Sequence, residues 1–127
     1  MINSIFSRGI RGAITVDEDR EELIKDATVE VLNKMLQEND IKSKDIICTL
    51  FTLTCDLKSA YPAKFARECC SGFSKVPMMC FNEAEIEGSL RKCIRVLIEV
   101  NTSKTQDEIK HIYLKGAKNL RKDLING

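Results

Sequence analysis

"KCIRVLIEV" (residues 92–100) reads as an interior strand with an arginine at its centre, and what that arginine is for decides how the rest of the chain is arranged around it. On the two-residue period of a strand, Ile94, Val96, Ile98 and Val100 form one face, apolar throughout and suited to a core. Cys93, Arg95, Leu97 and Glu99 form the other. That second face is not ordinary core, because a guanidinium keeps its charge and is costly to desolvate unless an anion meets it. Three readings stand: the face is open to water, Arg95 pairs with Glu99 or with a neighbouring strand, or Arg95 belongs to a ligand site.

The flanking segments build a sheet around this strand. "RGIRGAITV" (8–16) alternates, with Ile10, Ile14 and Val16 on one face and Arg11, Ala13 and Thr15 on the other, a first strand that also carries an arginine on its less apolar side. The period then changes to three or four. From Asp19, an expected N-cap with Glu22 three residues on, the positions Ile24, Ala27, Val31 and Met35, with Leu23, Leu32 and Leu36 alongside, describe one amphipathic helix ending near "QENDIKS". At about 1.5 Å per residue it is long enough to cover one face of a sheet.

"DIICTLFTLTC" (45–55) predicts a second strand, β-branched and nearly apolar on both sides, so that both faces are expected to be covered. "SAYPAKFARECCSGF" (59–73) contains a short helix with Pro62 at its first position and Gly72 at its end. "VPMMCF" (76–81) is a third strand, "NEAEIEGSL" (82–90) a turn or short helix, "TSKTQDE" (102–108) a loop with a second capping box, and "IKHIYLKGAKNL" (109–120) a fifth strand weakened by Gly116. The sum is a single α+β domain spanning residues 1–127, a mixed five-stranded sheet with one long helix and short helices. One sheet face lacks a cover, which suggests an oligomer in which sheets pack on sheets.

Composition limits the function. Lys plus Arg is 20 against 19 for Asp plus Glu, so a net charge of +1 argues against a polyanion-binding surface and against nucleic acid as the partner. No apolar run approaches the roughly 20 residues that span a bilayer, and "MINSIFSRGIRG" lacks the features of a secretory signal, so a cytoplasmic protein with no membrane partner is expected. The six cysteines, Cys48, Cys55, Cys69, Cys70, Cys80 and Cys93, contain no CxxC pair, and His111 is the one histidine. They read as free thiols rather than metal ligands, and no metal is expected.

No serine or cysteine motif is tied to His111, and no glycine-rich phosphate loop is present. Four arginines do fall inside or at the edges of structured segments: Arg11, Arg67, Arg95 and Arg121. Arginine is suited to holding carboxylates through paired hydrogen bonds, so the set suggests a small dianionic ligand. Taken one at a time, each has a plainer reading: Arg67 a solvated helix face, Arg121 a tail charge, Glu83 a loop carboxylate, Tyr113 a core ring with its hydroxyl at the rim, Cys80 packing.

Order and spacing bring these residues together. "RGIRGAITV", "YPAKFARE", "VPMMCFNE", "LRKCIRV" and "HIYL" followed by "LRKDL" closely resemble the monofunctional chorismate mutases of the trimeric, mixed α/β class, from Arg8 to Leu124. The resemblance implies a homotrimer in which three five-stranded sheets form a pseudo α/β barrel with sites in clefts between subunits. It implies conversion of chorismate to prephenate by an intramolecular Claisen rearrangement, without a cofactor. It places Arg95 against the ether oxygen of the breaking bond, Arg11 and Tyr113 on carboxylates, and Glu83 and Cys80 at the ring hydroxyl. Tyr61, Ala63, Lys64 and Arg67 become an opposite wall, Met78 and Met79 strand contacts, and Leu120 and Arg121 part of a segment closing over the site.

Departures from the family pattern are Met79 for a threonine, Tyr61 for a phenylalanine, an extra residue in "ECCSGF", and no proline after the arginine in "RKDL". A trimeric module of the same fold that binds a small carboxylate without catalysis is the alternative. It would need the carboxylate clamps but not a cation at an ether oxygen.

Overall fold

The computed structural model describes residues 4–120, so Arg121 lies outside the described residues. In chain order they form β1 (Phe6–Thr15), α1 (Glu21–Glu38), β2 (Ile46–Leu53), α2 (Pro62–Cys69), β3 (Met78–Asn82), β4 (Cys93–Thr102) and β5 (Ile112–Leu114), with 3-10 turns before β2, β3 and β5 and another after β5. The sheet order is β3-β2-β4-β1-β5. The "KCIRVLIEV" strand is therefore the middle one, antiparallel to both β1 and β2, while the two edge strands run parallel to their neighbours. This is the expected mixed sheet.

The apolar face of β4 faces the helices. Ile94, Val96, Ile98 and Val100 join Ile10 and Ile14 of β1, Phe51 of β2, and Ile24, Ala27, Val31, Leu32 and Met35 of α1 in one core. Met35 lies so close over β1 that a Cβ at residue 12 would meet its sulfur and force that side chain to move. α2 starts with Pro62 at its first turn, as expected, and buries Phe65 and Ala66 against this same layer. The Thr105–Glu108 capping box forms with both of its halves.

Four details differ from the sequence reading. Asp19 does not cap α1: the N-cap is Arg20, with no side-chain bond. The Asp19 carboxylate instead accepts from the backbone N–H groups of Lys58 and Ser59, at 2.9 and 3.0 Å, and so ties the loop before α2 to the loop before α1. Gly72 does not end α2, which stops at Cys69; with φ of 81° it opens the next turn. β5 is three residues long rather than running to residue 120. Lys115 takes a positive φ, the Gly116 N–H goes to Thr15 Oγ1 instead of a ladder carbonyl, and a 3-10 turn follows. Finally, β2 is covered on one face only within the chain, with Leu50 and Thr52 half-buried and Ile47 exposed.

Among the described residues no α-helix covers the second sheet face. Around its centre Ala13, Cys93, Tyr113 and Ala117 form a small buried cluster with Leu90 and Leu120 against it. Further out, Met79, Phe81 and Leu97 remain 58%, 44% and 40% exposed, large apolar side chains grouped on one face.

Candidate active site

Residues directly opposite one another in a sheet point to the same face. The register lines up Phe81, Thr52, Arg95, Ala13 and Tyr113 across all five strands. All five belong to the face without helices, with Arg95 in the middle. Glu83 follows β3 by one residue and its N–H still donates to the Leu53 carbonyl at 2.9 Å, so the alternation of Met79 and Phe81 carries its side chain to that face too.

There the partner of Arg95 becomes clear. Arg95 Nε lies 3.0 Å from Glu83 Oε2, with the two side chains 28% and 17% exposed. The Nε–H is nevertheless not aimed at that oxygen, and Arg95 Nε has no hydrogen-bond acceptor among the described residues, so the contact is an ion pair only. The hydrogen bond to Glu83 Oε2 comes from Thr52 Oγ1, at 2.5 Å. Glu99, the alternative partner, stands instead beside the Cys48 thiol at 3.9 Å.

Tyr113 is buried, and its hydroxyl has no hydrogen-bond partner among the described residues. Its ring rests on Ala13, with Leu120 beside the same cluster. Arg11 lies two positions along β1 from Ala13, and no carboxylate among the described residues pairs with its guanidinium. Its backbone N–H donates to His111 Nδ1 at 2.9 Å, so the histidine ties β1 to the approach to β5. Burial pushes the Cys93 thiol up to about 11, against the pull of the Arg95 cation.

The other candidates sit on the far side of the sheet. Tyr61, Ala63, Lys64 and Arg67 belong to α2 or its N-cap; Lys64 pairs with Glu21 at 3.2 Å, and Tyr61 is largely exposed. A cleft of about 450 Å³ beside them is lined by Leu53, Leu57, Tyr61, Lys64 and Asn82. Met78 and Cys80 are opposite Thr49 and Phe51 in register and pack on the helix-side core. Within one chain, the Cys80 thiol and the Glu83 carboxylate are therefore on opposite sides of β3. Burial raises the Cys80 thiol, with a backbone hydrogen bond from Ala63 pulling the other way.

Thr52 was not among the residues singled out from sequence. The signal was present, a hydroxyl at a period-two position in an apolar strand, but only the pairing of β2 with β4 places it beside Arg95.

Fold and site together define a small α+β protein that places two arginines, a carboxylate and a tyrosine hydroxyl with no partner among the described residues on one sheet face, chemistry suited to a small anionic ligand. The model of the family "Chorismate mutase type I" matches residues 7–124, and the chain belongs to that family. It is 45% identical over 117 residues to chorismate mutase AroH of Bacillus subtilis, covering 92% of this chain and 91% of that protein. To chorismate mutase AroH of Thermus thermophilus it is 48% identical over 118 residues, 92% of this chain and 95% of the relative. Among solved structures, a chorismate mutase from Clostridium thermocellum superimposes with a TM-score of 0.84 at 45% identity, over 88% of this chain and 98% of that one.

Proposed function

We propose that this chain, a chorismate mutase by family, converts chorismate to prephenate in clefts between the subunits of a cytoplasmic homotrimer, with Arg95 as the principal catalytic group. The observation that carries this reading is the state of Arg95: fixed beside Glu83 on the helix-free face, with its Nε–H directed away from that carboxylate and unpartnered among the described residues. A cation so held is available to an oxygen atom of a ligand.

The rearrangement breaks a C–O bond and forms a C–C bond within one molecule, so no group on the protein needs to donate a proton or form a covalent bond. Two contributions remain. Holding the flexible enolpyruvyl arm in its compact conformation removes conformational freedom before the chemical step. The C–O bond breaks ahead of C–C formation, negative charge grows on the ether oxygen, and a preorganised cation there binds that state more strongly than the ground state.

By likeness to the family, Arg11 and Tyr113 hold carboxylates and Glu83 accepts from the ring hydroxyl. The buried hydroxyl of Tyr113 and the guanidinium of Arg11, neither with a partner among the described residues, suit that role. Met79 lies on the Arg95 face and contributes through its backbone. Leu120 packs beside Tyr113 at the rim of the same cluster, and Arg121 lies outside the described residues. Tyr61, Ala63, Lys64, Arg67, Met78 and Cys80 lie across the sheet from Arg95 in the same chain, and they reach the substrate as the wall supplied by a neighbouring subunit.

The exposed Met79, Phe81 and Leu97 supply an apolar surface for that association. No helix among the described residues is long and apolar enough to cross a membrane, and a net charge of +1 offers no basic surface for nucleic acid. The test is direct. Purified protein mixed with chorismate is expected to remove its ultraviolet absorbance with prephenate as the sole product, and unchanged absorbance over the uncatalysed rate contradicts the proposal.

A further inference from the structure

Resting on this reading of the site, we infer that Thr52 is a positioning residue for Glu83: its hydroxyl locks one carboxylate oxygen so that the other is presented to the ligand. Three observations lead there. Thr52 and Arg95 are register partners on the same face, so the hydroxyl and the guanidinium approach Glu83 from adjacent strands. Both contacts fall on Oε2, the hydrogen bond from Thr52 at 2.5 Å and the ion pair with Arg95 at 3.0 Å. Oε1 is left without a hydrogen bond among the described residues.

The Arg95 N–H is not aimed at Glu83, so the ion pair supplies attraction without direction. Direction comes from Thr52. A charge-assisted O–H···O⁻ bond is strongly oriented, and the branched Cβ of threonine restricts χ1, so its hydroxyl has few directions to take. The backbone of Glu83 is held as well, because its N–H donates to Leu53 and its carbonyl accepts from the Cys55 thiol at 3.3 Å. With backbone and Oε2 both fixed, Oε1 has one orientation. That is the geometry an acceptor needs to meet a substrate hydroxyl without reorganising, and it leaves the cation of Arg95 free for the ether oxygen.

Thr52→Val keeps the shape and β-branching but removes the donor. It is expected to lower kcat/KM about tenfold, the size of one hydrogen bond to a charged group. Thr52→Ser, which restores a hydroxyl, is expected to return activity to within about threefold of the parent, the stiffer threonine accounting for the remainder. In a Glu83→Ala background, adding Thr52→Val is expected to change nothing further, because its effect passes through that carboxylate.

Melting temperatures are measured alongside, and a merely structural threonine behaves differently. Its valine variant loses activity equally with or without Glu83, or serine fails to restore it; either result overturns the inference. So does a Thr52→Val enzyme with the parent's kcat/KM while Glu83→Ala is impaired, an outcome that leaves the broader reading of the site intact. An unimpaired Glu83→Ala enzyme removes the role of Glu83 and this inference with it.

Discussion

Arg95→Ala is expected to lower kcat by more than about a hundredfold while the protein stays folded. Loss of a single preorganised neutral donor to a developing oxyanion typically costs about 2.7 to 4 kcal/mol, and a charged donor is worth at least as much. The fold should survive for local reasons. The Arg95 side chain is 28% exposed and lies off the main core, which is built by Ile94, Val96 and Ile98 on the opposite face of the same strand. Glu83 keeps its hydrogen bond from Thr52. Arg95→Lys should remain poor, because an ammonium on a flexible stem does not reproduce the planar, directed donors of the guanidinium. Steady-state kinetics with circular dichroism as the fold control decide it. A near-parental kcat in a folded Arg95→Ala protein removes Arg95 from the chemistry.

The second large effect is a gain. Within one chain, Arg95 projects from one face of the sheet while Lys64 and Arg67 belong to α2 on the other, so the site proposed above takes them from different subunits. Arg95→Ala and the double variant Lys64→Ala/Arg67→Ala are each expected to be nearly inactive as homotrimers. Unfolded together in equal amounts and refolded, they should recover about a quarter of parental activity. In a ring of head-to-tail contacts, half of the positions supply an intact Arg95 and half of their neighbours an intact α2 wall. Size-exclusion chromatography before the assay confirms the assembly. Activity that stays at the mean of the two parents means that each site is built from one chain.

The alternation within "KCIRVLIEV" is a local property, and so the sequence already separates its core face from its functional face. The partner of Arg95 is not local. Glu99 is four residues away in the sequence and on the correct face, yet Glu83 wins because the order β3-β2-β4 brings the residue after β3 across β2 to Arg95. Strand order is not encoded in any one strand's pattern. Thr52 escaped notice for the same reason. Asp19 had the spacing of a capping box, but two unpaired N–H groups in the 58–59 loop compete for its carboxylate and take it. Apolar residues continue past Leu114 and extend the strand pattern, whereas the chain turns at Lys115 into a 3-10 turn that buries Ala117 beside Tyr113. The grouping of Arg11, Glu83, Arg95 and Tyr113 came from resemblance to a family, since periodicity alone does not bring distant residues together.

The central claim is that a fixed cation, rather than a proton-transferring group, accelerates the reaction, and the pH profile of kcat tests it most directly. A guanidinium stays charged across the whole range of interest. The Cys93 thiol packed near it, raised to about 11 by burial, stays neutral there too. With such a cation at work, kcat for chorismate is expected to be level from about pH 6 to about pH 9, changing by less than about threefold where a titrating general acid or base would change it about tenfold per unit. A bell-shaped profile with limbs of that steepness inside this range would contradict it.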